Sequence, residues 1–176
     1  DRQPRRALLN ADPTAQLRLL DLQALDSRLD QLALRRDRLP QIAELEALVA
    51  EHRSLSHEAI AAEAAVAELT DQQAKADAEV ELVRTRRRRD QQRLDDGQVG
   101  SAKELQSLQS EVESLTRRQA DLEDRELEVM QGLEDAETTL ASLQRRRADV
   151  AERGVAARTA RDEAWREIDA EAGREA

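Results

Sequence analysis

Asp95-Asp96-Gly97-Gln98-Val99-Gly100-Ser101 is the one stretch at which this chain has the means to turn back on itself. Gly97 and Gly100 supply the left-handed backbone angles that end a helix, and Ser101 with Glu104 forms an S-x-x-E capping box that starts another. The residues on either side read as long helix. The expected fold is therefore all-α, a long antiparallel coiled-coil helical hairpin with its tip at this turn.

Outward from the turn, both arms carry a heptad. In the first arm one seam position holds Leu45, His52, Ala59, Val66, Gln73 and Val80, and the other holds Leu48, Leu55, Ala62, Leu69, Ala76 and Val83. In the second arm the two positions hold Leu105, Val112, Gln119, Glu126, Leu133 and Leu140, and then Leu108, Leu115, Leu122, Val129, Ala136, Leu143 and Val150. In an antiparallel coil, first-position residues of one arm face second-position residues of the other. Centring the turn between Gly97 and Gln98 pairs Val80 with Leu115, Val83 with Val112, Val66 with Val129, Ala62 with Leu133, Leu55 with Leu140 and Leu45 with Val150. The same register sets Gln73 against Leu122, Gln119 against Ala76 and Glu126 against Leu69, which makes the middle of the hairpin its softer part. Each arm has roughly 50 residues, a reach of about 80 Å at the helical rise.

Farther out, Pro40 and Gly154 fall level in this register, a helix breaker beside a weak helix former, so a kink crossing both strands is expected there. An additional N-terminal helix starts at Asp12-Pro13, an N-cap carboxylate followed by proline at the first helical position. It carries Leu22, Leu25, Leu29, Leu32 and Leu39 on one stripe. Ala157, Ala164, Trp165, Ile168 and Ala172 offer a matching stripe, with Trp165 and Ile168 as the apolar anchor of this base, near Leu29 and Leu32. The reading divides the chain into a flexible arm (1–11), a base helix (12–39), an ascending arm (41–94), the tip turn (95–101), a descending arm (102–153) and a base segment (154–176).

Composition narrows the function. With 38% charged residues, one Trp, and no Phe, Tyr or Cys, the chain lacks the bulk for an ordinary globular core and suits long helices along a narrow seam. The net charge of −10 argues against general phosphate binding, although a local basic patch can still engage an anion. Absence of cysteine excludes a disulfide framework and a thiolate zinc site within these residues. No signal peptide or membrane-length apolar run is seen, which points to the cytoplasm.

The candidate partner-binding residues cluster at the tip. Arg84, Arg86, Arg87, Arg88, Arg89 and Arg93 precede the turn, and Lys103 follows it. The ordinary reading is favourable charge near a helix C-terminus, since consecutive arginines point all round the helix. The sharper one is a tip that binds an acidic protein surface or RNA phosphates, with no aromatic interleaved to stack bases. Asp95 and Asp96 suit turn chemistry. An acidic pair at the end of a coiled-coil finger also resembles factors that enter the secondary channel of RNA polymerase and help hold a catalytic magnesium ion. His52 and His57 have no third ligand nearby, and His52 is expected half-buried on the seam. No nucleophile, phosphate loop or paired-acid arrangement is recognisable, so the protein reads as non-enzymatic, with a plain coiled-coil spacer as a further alternative.

The run Gly100–Leu115, through its Lys103-Glu104-Leu105 step, Leu108-Gln109, Glu111-Val112 and Leu115, resembles the signature of a bacterial family. Its members carry an N-terminal coiled-coil helical hairpin followed by a small C4-type zinc ribbon. The early leucine-rich helix, Pro40 and the long arms agree with that plan over nearly the whole chain. The resemblance implies an adaptor linked to transcription or RNA metabolism, in relatives described as binding an alternative sigma factor and as nucleic-acid-binding zinc-ribbon proteins. It marks Lys103 and Glu104 as the family's tip positions. It also implies that a ribbon would follow Ala176 and that zinc would be a cofactor only there.

Overall fold

The computed structural model describes residues 12–175, so the arm expected at residues 1–11 lies outside the described residues, as does Ala176. The helices are α1 (Pro13–Asp37), α2 (Pro40–Asp95) and α3 (Ala102–Glu175). The fold is all-α, a long helical hairpin with a third helix. No helix among the described residues is long and apolar enough to cross a membrane. The chain divides into two compact units, one joining the described residues up to His52 with those from Asp149 onward, the other being Arg53–Ala148.

In the first unit, α1 starts where its sequence allows. Asp12 caps it by accepting the Thr14 N–H at 3.2 Å and the Thr14 hydroxyl, and the hydroxyl first and the N–H second hold the Asp12 carboxyl below its ordinary range. Of the expected leucine stripe, Leu22 is exposed, Leu25 and Leu29 are half-buried, Leu32 is buried, and Leu39, just past the end of α1, is buried too. Leu32 and Leu39 form a cluster with Ile168, against which Ile42, Ala164, Trp165 and Ala172 pack. Exposed ion pairs run beside it, Arg28 to Glu175 at 3.0 Å, Arg35 to Glu171 at 3.3 Å and Arg36 to Asp169 at 3.4 Å. Each is worth little singly, so the apolar cluster is the main hold on α1.

Pro40 breaks the chain as its chemistry requires. The α1 ladder ends with the Arg38 N–H on the Leu34 carbonyl at 3.1 Å, and α2 restarts with proline as its first residue, where no donor is needed. Gly154 behaves differently. It lies inside α3, whose helix is unbroken from Ala102 to Glu175, so of the two level positions only Pro40 interrupts a helix. Glycine weakens a helix by about 1 kcal/mol but keeps its N–H, and one such residue in a 74-residue helix does not end it.

In the second unit, the seam positions read from the heptad are the ones covered. Leu55, Ala59, Val80, Val83, Leu108, Leu115, Leu122 and Leu143 are buried, and Ala62, Val66, Leu69, Val112, Val129 and Leu140 are half-buried. Leu105, at 41% exposure, is the departure near the turn.

The register differs from the expected one. That register places Arg84 level with Glu111 and Leu69 level with Glu126. Instead Arg84 pairs with Glu123 at 3.2 Å, a Cβ on Gly132 would meet Leu69 Cδ2 at 3.6 Å, and the Glu126 carboxyl is close enough to Asp77 to be raised by it. All three fit a displacement by one heptad, with Val80 opposite Leu122, Val83 opposite Gln119 and Leu69 opposite Leu133. Val80, Val83, Leu115 and Leu122 share one buried cluster, as either register allows, and near the turn Arg86 still meets Glu111. A whole-heptad slip leaves every apolar stripe facing an apolar stripe, so hydrophobic pattern alone cannot choose between the two.

Candidate partner-binding groove near the turn

The turn is built from backbone hydrogen bonds. Gln98 N–H reaches the Arg93 carbonyl at 3.1 Å and Gly97 N–H the Leu94 carbonyl at 3.2 Å, a Schellman pair closed by Gly97 at φ +65°. Gly97 alone among the described residues takes a positive φ, so the left-handed angle expected of Gly100 is corrected. Gly100 serves instead as a donor, its N–H reaching Glu104 Oε2 at 3.0 Å while Ser101 Oγ accepts the Glu104 N–H at 3.2 Å. Glu104 is thus a cap, and its carboxylate also lies 3.6 Å from the Arg93 guanidinium.

The arginine run is sorted by what α3 presents. Arg84 reaches Glu123 and, on its own helix, Glu81, both at 3.2 Å. Arg86 donates to Glu111 at 2.7 Å and lies 3.9 Å from Asp90. Arg89 lies 3.5 Å from Asp90. Glu123 is held below the ordinary carboxylate range by the Gln119 amide first and by Arg84 second, and the same contact raises the Arg84 guanidinium. Arg84, Arg86 and Arg93 therefore tie the arms together, as ordinary helix-end charges do.

Arg87 and Arg88 are left for another use. Arg87 feels the Glu123 charge from outside hydrogen-bond range, and among the described residues neither Arg88 nor Lys103 makes an ion pair. Both arginines line a shallow groove of about 480 Å³ with Arg84, Gln91, Gln92 and Asp95 of α2 and with Val112 and Thr116 of α3. The α2 residues are spaced so that they share one helical face. Asp95 accepts Gln91 Nε2 at 2.9 Å, and the Asp96 N–H closes the α2 ladder on the Gln92 carbonyl at 2.9 Å. The two aspartates thus belong to the turn.

Asp90 was absent from the sequence reading. It is buried, 4% exposed, between Arg86 and Arg89. It sits one heptad beyond Val83, so carrying the seam one repeat farther would have found it. Glu123 needed the displaced register, whereas Glu111, nearer the turn, lies beside Arg86 much as the expected register places it. Away from the groove, the Trp165 indole has Arg161 4.5 Å and Arg36 5.3 Å from its ring centre and donates Nε1–H to the Arg36 carbonyl at 3.3 Å. That is an internal anchor, not an open platform. His52 is exposed rather than half-buried, since Ala151 and Gly154 beside it are too small to cover the ring. The zinc implied by the ribbon resemblance has no ligand set here, because the chain lacks cysteine and its described residues hold no group of three His, Asp or Glu in metal-binding reach.

A family model described as the CT398-like coiled coil hairpin domain matches residues 22–176. Two uncharacterized proteins of Mycobacterium tuberculosis, MT2288 of strain CDC 1551 and Rv2229c of strain H37Rv, are 40% identical over 161 residues, covering 92% of this chain and 65% of theirs. The chain thus spans just under two thirds of the length of these curated relatives. A solved structure from Mycobacterium smegmatis matches with a TM-score of 0.72 at 31% identity, over 94% of this chain and 68% of that one. What matches is the hairpin half of the plan read from the sequence.

Proposed function

The chain belongs to the CT398-like coiled-coil hairpin family, and from that premise we propose that it is a non-enzymatic adaptor which docks a protein partner in the groove beside its turn. The observation that carries this reading is the division of labour among the arginines. Arg84, Arg86 and Arg93 are committed to α3 or to the turn, whereas Arg88 has no ion pair and faces the groove with Arg87. A guanidinium kept off nearby carboxylates is available to a partner's. The resemblance to hairpin proteins that bind an alternative sigma factor directs the search to cytoplasmic transcription components. Nucleic acid is the second reading, and Asp95 at one end of the groove, the net charge of −10 and the lack of stacking aromatics weigh against it.

Site-specific photo-crosslinking in cells that express the protein tests this. A photoreactive residue at Arg88 should give a protease-sensitive, nuclease-resistant adduct, while one at the exposed Ile60 should not. Nuclease-sensitive adducts at Arg88 would move the assignment to nucleic acid. No adduct, or the same adducts at both positions, would reject the groove.

A further inference from the structure

From the layout of charge along the groove we infer the element that occupies it: an amphipathic partner helix, acidic at its N-terminal end and basic at its C-terminal end, lying parallel to α2. This deepens the adaptor reading and rests on it. The α2 wall runs from Arg84 to Asp95, about 16 Å or three helical turns, and it is polarised. Arg84, Arg87 and Arg88 stand at one end, Gln91 and Gln92 in the middle, and Asp95 at the other.

The α3 wall is apolar in effect. Val112 is half-buried, and the Thr116 hydroxyl is spent on the Val112 carbonyl at 2.8 Å, so a methyl is what Thr116 offers. A phosphate chain laid here would meet methyl groups along one side and a carboxylate at its end. A helix instead sets an apolar stripe on Val112 and Thr116, carboxylates against Arg87 and Arg88, and a cation against Asp95. Helices favour acidic residues in their first turn and basic ones in their last, because these complement the macrodipole. Only a helix parallel to α2 satisfies both ends of the groove with that natural polarity.

The test uses the full chain with two blocked, alanine-rich peptides of about 16 residues and identical composition. One carries Glu in its first two turns and Lys in its last; the other reverses them. Each is titrated to about 1 mM by fluorescence anisotropy at low salt, beside a single-stranded polyuridylate of similar length. The first peptide should bind roughly tenfold more tightly than the reversed one, and Arg87→Glu with Arg88→Glu should weaken it roughly tenfold at unchanged helicity. Equal affinity for both peptides, binding that survives the double charge reversal, or polyuridylate binding as tight as the first peptide would each overturn the inference. A protein adduct at Arg88 together with no peptide binding would remove the acidic helix and leave the adaptor reading in place.

Discussion

Replacing Trp165 with alanine should release α1 while leaving residues 53–148 folded. The indole is half-buried against the Leu32, Leu39 and Ile168 cluster, under two guanidinium groups and bonded to the Arg36 carbonyl. Covering half of a tryptophan side chain of about 250 Å² is worth about 3 kcal/mol at 25 cal/mol per Å². Each cation–π contact adds about 0.5–1 kcal/mol, which the freed arginines and carbonyl largely recover from water. A net loss of about 3 kcal/mol accelerates opening-limited exchange roughly 100-fold. Hydrogen exchange read by mass spectrometry should show that acceleration across Pro13–Asp37 and little change in Arg53–Ala148. Trp165→Phe keeps a ring on the cluster and should recover most of the protection. Protection of α1 unchanged within about threefold would refute the anchor, as would an equal acceleration in both units. Emission typical of a solvated indole in the unaltered protein would refute it sooner.

Gly154→Ala should stabilise the protein by about 1 kcal/mol in urea unfolding, since a Cβ there meets nothing within 4 Å and glycine is the weaker helix former; a destabilised variant would show that Gly154 is needed as a hinge. Gln119→Leu should stabilise the hairpin by about 1–2 kcal/mol, because Gln119 Oε1 is buried without a partner and its place opposite Val83 is apolar. No gain in the urea midpoint would show that the Gln119 amide's hydrogen bond to Glu123 offsets the cost of its orphaned oxygen. Glu126 titrates above the ordinary carboxylate range because of its hydrogen bond with Asp77 and then its desolvation. A raised acid binds more protons folded than unfolded, so its contribution is present at low pH and is lost as pH rises through the raised pKa. Glu126→Gln should remove that loss, giving a urea midpoint that falls less between about pH 4 and 7 than the unaltered protein's. An identical pH profile would show that Asp77 and Glu126 are not coupled.

The sequence revealed the helices, the turn and the seam because each has a local cause. Gly97, Ser101 and Glu104 mark the reversal through backbone chemistry, and Asp12-Pro13 and Pro40 mark helix starts in the same way. The register did not follow, because it is a relation between distant residues that a repeating pattern leaves open by whole repeats. What depends on it was hidden with it: the pairing of Arg84 with Glu123 and the acidic contact of Asp77 with Glu126. The candidate site was half legible for the same reason. Which arginines exist can be read directly, but which of them α3 neutralises is decided by Glu111 and Glu123 across the seam. Asp90 shows the opposite failure, since its repeat position was plain and its polarity hid it.

A seam that is periodic but indifferent to whole-repeat slips limits how such hairpins can change length. Adding or deleting seven residues in one arm alone would leave a bulged repeat without a facing stripe, or would drag the turn and its caps out of place. Adding seven to both arms leaves every facing pair beyond the insertion intact and lengthens each arm by about 10 Å. Length differences among relatives should therefore come as matched insertions, in multiples of seven, at level points of the two arms. An unmatched insertion, by contrast, should appear only where one arm can shed a repeat without facing apolar residues across the seam.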